Sequence, residues 1–329
     1  MISVAIATYN GQEFIKEQLL SILNQTMPVD EIVICDDNSR DNTVQIIKDI
    51  QKEYKNIDIR LIQNNNNLGY KLNFKKALSY CKGDYIFLCD QDDIWKLNKV
   101  QTMIEIMQNH QEIKALASTY DLIDELGNEK QIDINRKYSN KNMYKCKVKD
   151  NALVKVPFER LIVENSFQGC ALCLRKQVNE KFQRCFSDDF HHDWLINILA
   201  SEQNGMYFLN IPLFHYRIHS KNTIGLKGNV TLKGMDHLVS TNTVDARTNT
   251  AKNCIETLNK LEELDNELCL SYPTYTNYRE FFNKHILYIE NGKVIQLIIQ
   301  NLNPYYKYFK TIKGRLMDII VTFKVFINK

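Results

Sequence analysis

The first 125 residues alternate short, unbroken apolar runs with longer segments in which apolar positions return every three or four residues. Strands buried on both faces need runs of the first kind, and helices with one apolar side need segments of the second. The alternation therefore predicts βαβ units around a parallel sheet. Strands are expected at residues 3–8, 31–35, 57–62, 85–88 and 115–120, with helices at 13–24, 42–54, 72–80 and 96–109. Ser39 and Asp41 offer capping oxygens ahead of the second helix. From 124 to about 164 the periodicity lapses. Leu126-Gly127-Asn128 reads as a turn, and the basic, asparagine-rich stretch after it has the character of a long loop beside an active site. Order returns with a strand at 166–174, a helix from about 189 to 201 and a strand at 206–216. After Gly225 the chain reads as helices punctuated by Pro273 and Pro304. The expected fold class is α/β, a mostly parallel sheet flanked by helices over 1–225 in two halves that meet near 125, followed by a helical region over 226–329.

Composition narrows the setting. A chain of 329 residues can bury a sizeable core, and 44% hydrophobic with 25% charged residues is ordinary for a globular protein. Forty-two basic against 39 acidic residues supply no field for general nucleic-acid binding. Of nine cysteines, Cys35, Cys89, Cys170 and Cys173 sit in strand-like apolar runs, as buried reduced thiols of a cytosolic protein do. Cys170 and Cys173 form a lone Cys-x-x-Cys, and two ligands cannot close a tetrahedral zinc site. The chain runs straight into a strand pattern at Ile2-Ser3-Val4-Ala5-Ile6, without a basic n-region or cleavage signature, so a cytoplasmic location is expected. No stretch approaches the roughly 20 apolar residues of a spanning helix.

The chemistry is concentrated where strands end. In an open parallel sheet, ligands bind at the carboxyl ends of strands where the strand order reverses. The first strand ends in Thr8-Tyr9-Asn10, the second in Asp36-Asp37 and the fourth in Asp90-Gln91-Asp92-Asp93. If the first strand lies between the other two, five carboxylates converge on one crevice, which is unfavourable unless a cation compensates them. Magnesium or manganese, held by one or two carboxylates and by substrate phosphates, fits such a site. An isolated Asp-x-Asp more often caps a helix or ends a strand; the company of Asp37 and the strand-end position point to a metal. Neither Gly-x-Gly-x-x-Gly after the first strand nor Gly-x4-Gly-Lys-Ser/Thr occurs, which disfavours a dehydrogenase and a P-loop kinase.

Four ordered segments carry a resemblance: Ala7-Thr8-Tyr9-Asn10-Gly11; Ile34-Cys35-Asp36-Asp37-Asn38-Ser39-Arg40-Asp41-Asn42-Thr43; Asn67-Leu68-Gly69-Tyr70 through Asn73; and Gly83 through Asp90-Gln91-Asp92-Asp93-Ile94-Trp95. They resemble family 2 glycosyltransferases of the GT-A fold. His191-His192-Asp193-Trp194 and His215-Tyr216-Arg217-Ile218-His219-Ser220-Lys221-Asn222 extend the likeness to about residue 225, and within the family it is greatest to bacterial rhamnosyltransferases of surface polysaccharide synthesis. The resemblance implies a nucleotide-sugar half over 1–125, an acceptor half over 126–225, and an inverting sugar transfer from a nucleotide diphosphate to a glycan or lipid-linked hydroxyl. It implies that Thr8, Tyr9, Asn10 and Glu13 lie against base and ribose, that Asp37 accepts from the base, and that Asn67, Gly69 and Asn73 shape the pocket. Asp90 and Gln91 would face the donor, Asp92 would hold Mn²⁺ or Mg²⁺ with Asp90 and His219, Trp95 with Lys99 would close that wall, and Arg217 would meet phosphate. Asp193 would be the catalytic base, with His192 as fallback, and His191, His192 and Trp194 would meet the acceptor. Asn38 stands where the family has glycine, and asparagine tolerates a left-handed backbone. The best expected donor is dTDP-rhamnose, with UDP-galactose, UDP-glucose or a UDP-N-acetylhexosamine behind it. A sugar-phosphate nucleotidyltransferase would need a glycine-rich basic loop at 8–13, which Thr8-Tyr9-Asn10-Gly11-Gln12-Glu13 is not. The presence together of Asp37, Asp90, Asp92 and Asp193 argues against an inactive nucleotide-sugar-binding scaffold.

Over 305–329 apolar residues recur at helical spacing from Tyr305 to Ile327, beside Lys307, Lys310, Lys313, Arg315, Lys324 and Lys329 and a single acid, Asp318. Such a stripe packs on its own domain, on a second copy as a homodimer, or on the inner face of the plasma membrane.

Overall fold

The computed structural model describes residues 1–130, 146–202, 204–220, 243–265 and 273–328. Lys221, Asn222, the 225/226 boundary and most of the basic, asparagine-rich stretch lie outside the described residues. The chain forms two compact units, Met1–Pro157 with Asn165–Thr231, and Phe158–Glu164 with Leu232–Lys329.

The first unit is built on β1 (Ile2–Thr8), β2 (Glu31–Asp36), β3 (Asp58–Gln63), β4 (Tyr85–Cys89), β5 (Ile94–Trp95), β6 (Ala115–Ile123), β7 (Leu153–Lys155), β8 (Leu172–Arg175) and β9 (Met206–Arg217). They form one sheet in the order β3-β2-β1-β4-β8-β6-β9-β5, with β7 also on β9. Strands β3, β2, β1 and β4 are mutually parallel, and β8 joins β4 antiparallel. Thus β1 lies between β2 and β4, as the crevice argument requires. All of β2 is buried, which is why its apolar run is unbroken.

Four helices, α1 (Ile15–Leu23), α2 (Thr43–Glu53), α3 (Tyr70–Tyr80) and α4 (Lys99–Asn109), follow the pattern expected of them, each burying one face. The single turn α5 (Phe158–Leu161) comes next, then α6 (Lys176–Cys185) and α7 (His192–Ser201). Two expectations need correction. The strand at 166–174 is a 3-10 turn at Gly169–Ala171 followed by β8, because the Cys170 carbonyl turns to accept the Lys99 ammonium at 2.8 Å. The helix expected from 189 begins at His192, since the Ser187 hydroxyl bonds the Asp189 amide and carboxylate and holds a turn there.

The second unit contains α5, α8 (Val244–Asp265), α9 (Pro273–Glu290), α10 (Val294–Gln300), α11 (Tyr306–Phe309) and α12 (Ile312–Ile327). Pro273 opens α9, the helix position that needs no amide donor. Ile289, Leu297 and Val321 form an apolar centre. Beside it, the fully buried Asp318 carboxylate accepts from Arg247 Nε at 2.5 Å and Lys310 Nζ at 2.8 Å, and Lys310 also reaches His285, which bonds the Tyr306 hydroxyl. Lys310 therefore leaves the basic surface predicted from the sequence and serves an internal ion pair. No described helix is long and apolar enough to cross a membrane.

Removing one member of a buried ion pair strands its partner's charge, at a cost of about 3–5 kcal/mol. Asp318→Ala should lower the unfolding free energy by that order, whereas Asp245→Ala, whose side chain is 95% exposed, should change it by less than about 0.5 kcal/mol. Equal effects in urea unfolding would refute the buried network as a stabilising centre.

Candidate active site

At the carboxyl ends of β1 and β2, polar side chains tie the strand ends together. The Thr8 hydroxyl donates to Asp36 at 3.0 Å, and the Asp37 amide donates to the Thr8 carbonyl at 2.8 Å. Asp37 accepts from the Leu68 amide (2.7 Å), the Gly69 amide (2.9 Å) and Asn64 Nδ2 (2.9 Å). Asn67 also accepts from the Gly69 amide at 3.1 Å, and Asn73 donates to the Cys35 carbonyl at 2.9 Å. Thr8, Asp37 and Asn73 are thus buried and spent on the frame, while Tyr9, Asn10, Glu13, Asn67 and Gly69 carry the solvent-facing surface. Two asparagines take left-handed backbone, Asn10 at φ +50° and Asn38 at φ +65°, so Asn38 does the conformational work of the glycine it replaces. Asn10 ties the two loops together: its amide donates to Ser39 Oγ and its Oδ1 accepts from the Arg40 amide, each at 2.9 Å.

The acidic turn after β4 is held from several sides. Gln91 accepts from the Tyr9 amide at 2.9 Å and donates to the Tyr9 carbonyl at 3.1 Å, and a Cβ on Gly11 would lie 2.3 Å from its Oε1 and displace the Gln91 amide from these bonds. Arg217 is buried at the end of β9. Its Nε donates to the Asp92 carbonyl (2.8 Å), one terminal nitrogen to the carbonyls of Asp124 and Glu125 (3.3 and 3.2 Å), and the other to Glu17 (2.6 Å). Its amide donates to Asp93 Oδ1 at 3.1 Å, and the guanidinium lies over the Phe14 ring. The phosphate contact expected of Arg217 would require breaking this set; in the structure it shapes the turn.

Lys99 also lies beneath the surface. It is fully buried between the rings of Trp95 and Phe214, each 4.2 Å away, and burial lowers its ammonium to about 8. Trp95 is buried with it, so this pair supports the crevice floor from below. Asp92 points the other way, its Oδ2 2.9 Å from His219 Nε2. The other Asp93 oxygen has no hydrogen-bond partner among the described residues, and Asp90, Asp93 and the Cys170 thiol lie within 4.8 Å of one another.

Across from this turn stands the start of α7. Gly169 lets it approach: a Cβ there would be 2.9 Å from His192 Nε2, 3.6 Å from Leu88 and 3.8 Å from the Asp193 Cβ. His192 stacks on Phe74 at 4.1 Å, and neither ring nitrogen has a hydrogen-bond partner among the described residues. Burial lowers it to about 4, leaving the imidazole neutral and internal. His191 is exposed and bonds the Tyr70 hydroxyl, and Trp194 packs edge-on to Phe190. Asp193 is half-buried, with one oxygen on the Trp194 amide at 2.7 Å.

Charge links the two sides. Burial, then the Asp92 carboxylate, lift Asp90 to about 7, and Asp193 pushes in the same direction. Asp93 is raised well above the usual range by burial and by Asp92 and Asp90. Asp193, about a hundred residues on from Asp90 and Asp92, therefore acts on the same crevice as they do. Its donors are carboxylate oxygens with one imidazole, a set suited to Mg²⁺ or Mn²⁺. Glu17, Phe14, Asn64 and Gly169 complete this arrangement without having been singled out in the sequence, and Cys170, read there only as a buried thiol, joins them. Only Gly169, a glycine inside an apolar run, carried a local signal of close approach.

Two measurements follow. In metal-free protein the Asp90 carboxyl is higher in the folded chain than in the unfolded one, so its contribution is present at low pH and lost as pH rises through about 7. Asp90→Asn should flatten that loss, raising the melting temperature at pH 8 but not at pH 4; a destabilised variant at pH 8 would contradict it. Arg217→Lys keeps the charge and loses the planar fork, so it should cost about 2–3 kcal/mol in urea unfolding and at least tenfold in turnover. Wild-type behaviour in both assays would remove Arg217 from the site's architecture.

Residues 3–167 match the family model described as Glycosyl transferase family 2. The chain is 30% identical over 197 residues to a glycosyltransferase of Methanocaldococcus jannaschii, covering 59% of this chain and 67% of that one. It is 28% identical over 243 residues to the dTDP-rhamnosyl transferase RfbG of Shigella flexneri, covering 69% and 75%. Its fold resembles that of Staphylococcus aureus TarS, residues 1–349, with a TM-score of 0.53 at 16% identity over 98% of this chain and 89% of that one. With its central β1, its acidic turn after β4 and the family match over half its length, this chain is a glycosyltransferase belonging to family 2.

Proposed function

We propose that the enzyme transfers a sugar, with inversion, from a nucleotide diphosphate to a hydroxyl of a growing surface polysaccharide, and that Asp193 is its base. The observation that carries this reading is the convergence of Asp193 with Asp90 on one crevice at the carboxyl end of the sheet. Tyr9, Asn10, Glu13, Asn67 and Gly69 would receive base and ribose over the frame made by Thr8, Asp37 and Asn73. Asp92, with Asp90 and His219, would hold Mn²⁺ or Mg²⁺, which supplies the charge that a departing diphosphate needs. Asp193 takes the proton from the acceptor hydroxyl as its oxygen attacks the anomeric carbon from the side opposite the leaving group. His192, stacked and internal, positions the start of α7, and His191 with Trp194 stands on the acceptor side.

For the donor we put dTDP-rhamnose first, on the similarity to RfbG, with UDP-galactose, UDP-glucose and UDP-N-acetylhexosamines as competing outcomes of the same assay. We also assign catalysis to residues 1–225 and a separate helical region to 226–329.

The test is nucleoside diphosphate release from dTDP-, UDP- and GDP-sugars with Mn²⁺, Mg²⁺ or EDTA. One donor should turn over, and both EDTA and Asp92→Ala should abolish it. Asp193→Asn should lower kcat by about 10²–10⁴ with donor KM changed little. Metal-dependent turnover surviving Asp193→Asn would transfer the base to another residue. No turnover of any donor, with glycan and lipid-linked acceptors supplied, would instead favour a nucleotide-sugar-binding scaffold.

A further inference from the structure

The helical unit turns part of its apolar surface outward. On α12, Ile312, Leu316, Ile320, Phe323 and Ile327 are between 46% and 76% exposed, while its buried residues are Asp318, Val321 and Thr322. At about 3.6 residues per turn, those five exposed positions and Phe326 fall within roughly one third of the helix circumference. Lys313 and Lys324 border the stripe on one edge and Arg315 on the other. The polar side faces inward because Asp318 accepts from Arg247 and Lys310, and that pairing fixes the helix's rotation.

The neighbouring α10 repeats the arrangement. Leu297 packs in the same apolar centre as Val321, whereas Ile295, Ile298 and Ile299 are exposed, as is Leu302 just beyond. The two helices share that centre and each turns several branched or aromatic side chains outward, more than the single apolar residues scattered over an ordinary exterior.

Charge identifies the occupant. From residue 291 to 328 the only acid is Asp318, which is buried and paired. Lys293, Lys307, Lys313 and Lys324 are all exposed there. A second copy docking this face on itself would bring like charges together around the apolar stripe. A surface that is apolar inside and anionic at its rim meets both features at once.

We propose that α10 and α12 form an interfacial membrane-binding face that takes an anionic lipid surface, the apolar side chains entering the acyl boundary and the lysines meeting the headgroups. This stands apart from the reading of the active site, because none of these residues belongs to it. Within the helical unit the stripe is exposed rather than packed, which leaves a second copy as the outcome the experiment must separate from a membrane.

The experiment is co-sedimentation of the full chain with vesicles of phosphatidylcholine alone or with about one third phosphatidylglycerol. Wild type should pellet with the anionic vesicles at least tenfold more than with the neutral ones and be released by high salt. Leu316→Glu/Phe323→Glu and Lys313→Glu/Lys324→Glu should each abolish pelleting, with circular dichroism and donor turnover in solution unchanged. Wild type left in the supernatant with anionic vesicles would overturn the proposal, whatever the variants do. So would a concentration-dependent dimer in light scattering, dissolved by Leu316→Glu/Phe323→Glu, from a chain that ignores vesicles; the face would then be a self-association surface.

Discussion

The buried guanidinium of Arg217 is the constraint on which the carboxyl end of the sheet depends. It lies at the end of β9 and bonds the backbone of Asp92, the turn at Asp124 and Glu125, and the Glu17 carboxylate on α1. An arginine withdrawn from water is stable only when its donors find acceptors, so its five N–H groups dictate where these segments stop. The acidic turn is thereby held with Asp93 inward and Asp92 toward His219. Without such a clamp, the mutual repulsion of Asp90, Asp92 and Asp93 would drive the turn open.

That clamp explains a division within the motif residues. Thr8, Asp37, Asn73, Lys99, Arg217 and His192 are internal, and each satisfies backbone groups or fills space behind the crevice. Tyr9, Asn10, Glu13, Asp92 and Asp193 are the ones left with surface to offer. The motifs thus encode a rigid frame as much as a set of contacts. A site built on bonded strand ends keeps its carboxylates oriented without paying for their ordering when a ligand arrives.

The helical unit follows a different logic. Its last helix buries a carboxylate and exposes its largest apolar side chains, the reverse of a helix packed on a core. Arg247 and Lys310 make that orientation affordable in free energy by neutralising Asp318 where water cannot. A buried ion pair is poor evidence for stability as such, but it does specify which face of α12 turns inward.

The sequence alone determined the α/β class, the four helices that follow the early strands and the location of the acidic turns. All of these rest on local periodicity and on the rule that ligands gather at strand ends, both of which act over a few residues. The 3-10 turn at Gly169–Ala171 and the inward side of α12 were decided by tertiary structure. Each depends on a partner distant in the chain: Lys99 for the Cys170 carbonyl and Arg247 for Asp318. The same holds for Arg217, whose residue type suggested phosphate and whose surroundings engage it with three other segments of the chain. Local spacing reveals which side chains share a face, but only the folded chain reveals which acceptors a buried cation has already taken.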